Sequence, residues 1–122
     1  MRRRIAAVDG VPAVRAILAG ADDRTAIALA TRYLLEQLAD EAEGHTVEVR
    51  VPPFGAVQAI PGPRHTRGTP PNVVEMDAAT WIALATGALA WDAALAELRV
   101  TASGQRATLA EHLPLTWETM EP

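Results

Sequence analysis

The sequence predicts an α+β fold, a layer of mostly antiparallel sheet packed against helices. Three observations carry that expectation. Residues 22–44 repeat apolar side chains at helical spacing, and residues 45–51 alternate apolar and polar ones. Beyond them, short strand-like runs are interleaved with short helix-like runs as far as Leu113.

The long helix is the strongest element. In "DDRTAIALATRYLLEQLADEAEG", Asp22 is the expected N-cap and Asp23 complements the positive end of the helix dipole. Ile27, Ala30, Tyr33, Leu34 and Leu38 form one apolar stripe, and Gly44 is the expected C-cap. Ahead of it, residues 1–21 carry weaker signals, and "VPAVRAIL" predicts a turn or two of helix opening at Pro12. "HTVEVRV" sets Val47, Val49 and Val51 on one face against Thr46, Glu48 and Arg50 on the other, a half-buried strand. Pro52 to Gly55 turns the chain and "AVQAI" returns as the hairpin partner, while "NVVEM" reads as a third strand. Asp77 caps the helix "DAATWIALATG", with Trp81, Leu84 and Ala85 facing inward and Gly87 ending it. "WDAALAE" is a second short helix, "LRVTASG" a fourth strand with Val100 and Ala102 on one face, and "ATLAEHL" a closing helix. The tail "TWETMEP" has no clear period. Without internal repeats or a low-complexity linker, residues 1–122 are expected to form one domain with its core in 22–115.

Composition narrows the function classes. Of 122 residues, 49% are apolar, but 25 are alanine and one is phenylalanine, so the core must rest on Leu, Ile, Val and three tryptophans. The absence of cysteine excludes disulfides and thiol catalysis and suits a reducing cytoplasm. No apolar run approaches the ~20 residues of a membrane span, and "MRRRIAAVDG" is broken by Asp9 before it could serve as a signal peptide. A net charge of −4 argues against a nucleic-acid partner. All 11 cations are arginine.

The stretch from Val73 to Leu113 resembles the sterol carrier protein type-two family. A strand leads into "MDAATWIALATGAL", where Asp77, Trp81, Leu84, Gly87 and Leu89 match the family's polar cap, aromatic and Leu-x-x-Gly-x-Leu pattern, and "LRVTASG" follows with Gly104. The run "VRVPPFGAVQAIPGPRHTRGTPPNVVEMD" is similar to a small branch of that family found in actinobacteria. The resemblance implies five helices and five strands around an apolar tunnel for fatty acyl chains or sterols. This chain is shorter than the family plan between its second and third strands and at its C-terminus, where members use a helix to cover the tunnel.

The candidate ligand-binding cluster is Arg64, His65 and Arg67, held in "GPRHTRGTPPN" between glycines and prolines. Guanidinium groups grip carboxylate or phosphate through paired hydrogen bonds, and a proline-stiffened backbone lowers the cost of holding them ready. The competing reading has the same arginines tying the loop down on carbonyls and on Glu48 or Glu75. Under the resemblance, the cavity is lined by Val49, Val57, Trp81, Leu84, Leu109 and Leu113. On the residues alone, Trp81 and Trp91 read first as core, and Leu109, Leu113 and Trp117 read equally as lid, packing or dimer surface.

No catalytic constellation emerges. Ser103 is the only serine and lacks the Gly-x-Ser-x-Gly elbow, and His45, His65 and His112 lack metal-ligand spacing. The sequence therefore points to a non-catalytic binding protein, cytoplasmic, monomer or homodimer, with a lipid or acyl ligand and no cofactor or metal. The alternative is an accessory protein-interaction module presenting the basic loop to an acidic partner.

Overall fold

The computed structural model describes residues 5–62 and 72–118. In chain order it contains α1 (Ala7–Leu18), α2 (Arg24–Glu41), β1 (Val47–Val51), β2 (Gly55–Ala59) and β3 (Val73–Met76). There follow α3 (Ala78–Thr86), α4 (Trp91–Ala96), β4 (Val100–Ser103) and a single 3-10 turn, Ala110–His112. The α+β class is therefore as expected. Among the described residues there are four α-helices and four strands, one of each fewer than the resemblance implies.

The strands are ordered β2-β1-β3-β4. β1–β2 and β3–β4 are antiparallel, whereas β1–β3 is parallel, so the sheet is mixed. β3 lies on the far side of β1 from β2 and runs opposite to β2, which makes it parallel to β1. Alternation does the sorting: Val47, Val49 and Val51 are fully buried, and the register sets Val57 and Val74 beside Val49 on the same face. Ala102 shares that row with Val74 but is exposed, because β4 is an edge strand. Glu48, Arg50, Glu75 and Thr101 alternate onto the opposite, polar face. α2 packs over β2 and against α3, and α1 packs on α2. Tyr33, Leu34, Leu38, Trp81 and Leu84 join the valines in one core.

Three element ends differ from expectation for identifiable reasons. α1 begins at Ala7, well before Pro12, which sits inside the helix. Proline has no N–H for the carbonyl of Val8, but Val8 and Pro12 both face solvent, where water can take that carbonyl. The N-cap of α2 is Asp23, not Asp22: its carboxylate accepts the Ala26 N–H at 3.1 Å. The helix ends at Ala42, not Gly44, and Gly44 has a different role. A Cβ there would collide with the Ile60 carbonyl, so glycine lets the α2–β1 link pass the exit of β2. The closing helix shrinks to the 3-10 turn.

The described part of the tail, up to Glu118, is held by bonds distant in sequence. Leu115 N–H donates to the Ala85 carbonyl at 2.9 Å, Gln37 Nε2 to the Thr116 carbonyl at 2.8 Å, and Tyr33 Oη to the Trp117 carbonyl at 3.4 Å.

Asp77 caps α3 as expected, accepting the Thr80 N–H at 2.8 Å, while Arg99 Nε donates to the Thr80 hydroxyl at 3.2 Å. The Thr80 hydroxyl and then its N–H hold the Asp77 carboxyl below its ordinary pKa. A depressed carboxyl pKa contributes stability that is present above the unfolded value of about 3.9 and lost as pH falls through the folded one. Asp77→Ala should cost about 0.5–2 kcal/mol at neutral pH. Asp77→Asn, which keeps an acceptor but not the charge, should differ from wild type near pH 7 and converge on it in acid. Urea midpoints across that range check this; a constant difference would rule out the charged cap.

Candidate functional site

One face of α2 builds the wall of a wide concavity. Positions 24, 28, 32 and 36 recur every four residues, so Arg24, Ala28, Arg32 and Glu36 stand in a row along the helix. Leu29 and Leu35 flank that row. Opposite it run Phe54, at the end of the β1–β2 turn, and Val57 of β2. Between the two walls lies a cleft of about 1130 Å³, slightly larger than ordinary ligand sites. Gly55 permits the walls to converge: a Cβ there would lie 3.3 Å from Leu35 Cδ1.

A second cleft, of about 500 Å³, lies between α1, the start of α2, and α3, with Ile17, Ile27 and Ile82 in its wall. The two clefts share Arg24 and Phe54. Arg24 Cζ stands 5.1 Å from the centroid of the Phe54 ring, a cation–π stack that partitions them.

The charges in the larger cleft are unevenly matched. Arg32 Nε donates to the Phe54 carbonyl at 2.9 Å, and Arg24 rests on the ring of the same residue. Among the described residues neither guanidinium forms an ion pair, whereas Arg15, Arg50 and Arg99 pair with Glu118, Glu48 and Glu97. Arg50 is held above its ordinary pKa, first by its hydrogen bond to Glu48. Glu36 is the acidic member of the row. It is 8% exposed, and its Oε1 accepts the Ile5 N–H at 3.0 Å.

The residues singled out from sequence fall into three groups. Arg64, His65 and Arg67 lie outside the described residues. Val57 lines the larger cleft. Val49, Trp81, Leu84 and Leu109 are fully buried in the core, Leu113 packs partly buried against it, and none of these five lines either cleft. Trp81 is fixed there by its Nε1–H, which donates to the Thr31 carbonyl at 3.2 Å. Trp91 and Trp117 are buried too. Sequence reasoning passed over Arg24, Arg32 and Phe54. The available signal was two arginines eight apart on α2 outside its apolar stripe, with the chain's only phenylalanine in the turn between the next two strands.

Ser103 is exposed on β4, and His45 Nδ1 lies 2.8 Å from Gln58 Oε1. Among the described residues no group of three His, Cys, Asp or Glu side chains is placed to share a metal ion.

Residues 23–115 match the family of bacterial SCP orthologs. The chain belongs to that sterol-carrier-like bacterial family. No curated protein matches it. The matched segment opens at the Asp23 cap and closes at Leu115, whose N–H bonds to α3. Both walls of the larger cleft, α2 and β2, fall inside it, and α1 falls outside. No helix among the described residues is long and apolar enough to cross a membrane.

Proposed function

We propose that this chain is a small non-catalytic binding protein of the sterol-carrier type, taking an apolar or acyl ligand in the cleft between α2 and β2. The observation that carries the reading is the cleft itself. Its volume suits a small amphiphile, its walls are apolar over Ala28, Leu29, Leu35 and Val57, and it lies within the segment shared with the family. Such a site works by removing apolar ligand surface from water, so it asks for no cofactor, no metal and no reacting side chain. In this reading the protein acts in the cytoplasm, as a monomer or homodimer.

Fatty-acid analogues bearing one fluorophore and increasing chain length provide the test. Each added methylene that enters the cleft should strengthen binding by up to ~0.8 kcal/mol, about fourfold in Kd, until the apolar wall is filled. An affinity independent of chain length would remove the cleft as an acyl site and favour the interaction module. Native mass spectrometry after incubation with bacterial lipid extract is the unbiased complement.

A further inference from the structure

We infer that Arg24 and Arg32 form an anion clasp at the cleft, selecting carboxylate-headed acyl chains over neutral lipids such as sterols. The inference rests on the cleft being an acyl site and adds the chemical class of the head group. Three observations support it.

The first is charge. The whole chain carries −4, yet among the described residues two arginines and one glutamate line the larger cleft, a net positive set. The glutamate carboxylate is already engaged with the Ile5 N–H, and neither arginine has an ion-pair partner among the described residues.

The second is convergence. Arg24 and Arg32 stand about 12 Å apart along the axis of α2, but both side chains reach the same residue. One stacks on the ring of Phe54 and the other bonds its carbonyl. That shared anchor restrains both cationic heads before any ligand arrives, which lowers the ordering cost of binding.

The third is donor supply. A guanidinium has five N–H donors in a planar fork. Arg32 spends its Nε–H on Phe54, and Arg24 uses its face on the ring, which leaves terminal donors of both for a second acceptor. A carboxylate matches that fork with two oxygens and a full charge. A sterol or alcohol hydroxyl offers one neutral oxygen and gains far less. With the head at the arginines, Leu29, Leu35 and Val57 remain to cover the acyl chain.

The test compares dodecanoate, dodecanol and cholesterol by isothermal titration with the full chain, below micellar concentrations. Dodecanoate should bind about ten- to a hundredfold tighter than dodecanol, the range expected of charge-assisted hydrogen bonds. Arg24 and Arg32 are both exposed, so R24Q/R32Q should fold normally. It should weaken dodecanoate to the level of dodecanol while changing dodecanol by no more than about twofold. Equal wild-type affinities for acid and alcohol would overturn the clasp and leave the acyl cleft standing. A preference for acid that survives R24Q/R32Q, or that R64Q/R67Q abolishes instead, would move the anion site elsewhere. Binding of cholesterol in preference to both would refute the selection, and failure of all three to bind would refute clasp and cleft together. The acid–alcohol comparison needs no variant, so the proposal remains testable if a substitution disturbs folding.

Discussion

Trp81→Ala should destabilise the protein by about 3–5 kcal/mol in a denaturant titration. Trp81 is fully buried on α3, and its indole N–H reaches across to the Thr31 carbonyl of α2. Truncation leaves a cavity where two helices meet above the sheet. The Thr31 carbonyl lies mid-helix and keeps its α-helical partner, so the loss is chiefly one of packing. Against a total stability of about 5–15 kcal/mol for a domain, such a change brings the chain close to unfolding at ambient temperature. Trp81→Phe separates the terms: it retains an aromatic ring, loses the N–H and should cost clearly less. A loss below ~1 kcal/mol for the alanine variant would mean that α3 docks by another face.

Where the sequence was legible, the signal was local. The Val47–Val49–Val51 alternation, the Asp77 cap and the left-handed Gly87 each report on a few neighbouring residues, and each predicted element is present. The same holds for α2: of its expected stripe, Ala30, Tyr33, Leu34 and Leu38 are buried and Ile27 is half-buried. What was not legible depends on distant partners. Nothing near Trp117 announces that Tyr33 and Gln37 will hold the tail, or that β3 will run parallel to β1. Pro12 misplaced the start of α1 because proline is commonest at a helix start, whereas here it is accommodated inside the helix on its exposed face.

The candidate site illustrates the same division. Taken singly, Arg24 and Arg32 carry no distinguishing signal in the sequence, and both are exposed on α2. Only the position of Phe54, set by the β1–β2 turn, shows that both arginines are anchored on one residue of the opposite wall. The concentrated charge at Arg64, His65 and Arg67 was the more conspicuous signal in the sequence, but conspicuous composition says nothing about what stands opposite.

Gly10→Ala should lower stability by about 1–3 kcal/mol even though alanine is the better helix former. Gly10 lies inside α1, where replacing glycine with alanine would by propensity alone gain about 1 kcal/mol. Packing reverses the sign. A Cβ built on Gly10 would stand 2.8 Å from Cδ2 of Tyr33 and closer still to Cγ and Cδ1, so α1 crosses α2 with backbone lying directly on the aromatic ring. The ring has little room to retreat: Tyr33 is 1% exposed, and its hydroxyl is bonded to the Trp117 carbonyl. The added methyl must therefore lift α1 from α2 or expel Tyr33, and either disturbs the core contacts of Val11 and Val14. A double-mutant cycle isolates the clash. Tyr33→Leu alone should destabilise through lost packing, whereas Gly10→Ala introduced into the Tyr33→Leu background should cost much less than it does in wild type. Additive losses, or a stabilised Gly10→Ala variant, would show that α1 is not seated on Tyr33, and the amphipathic first helix would need a different place on the fold.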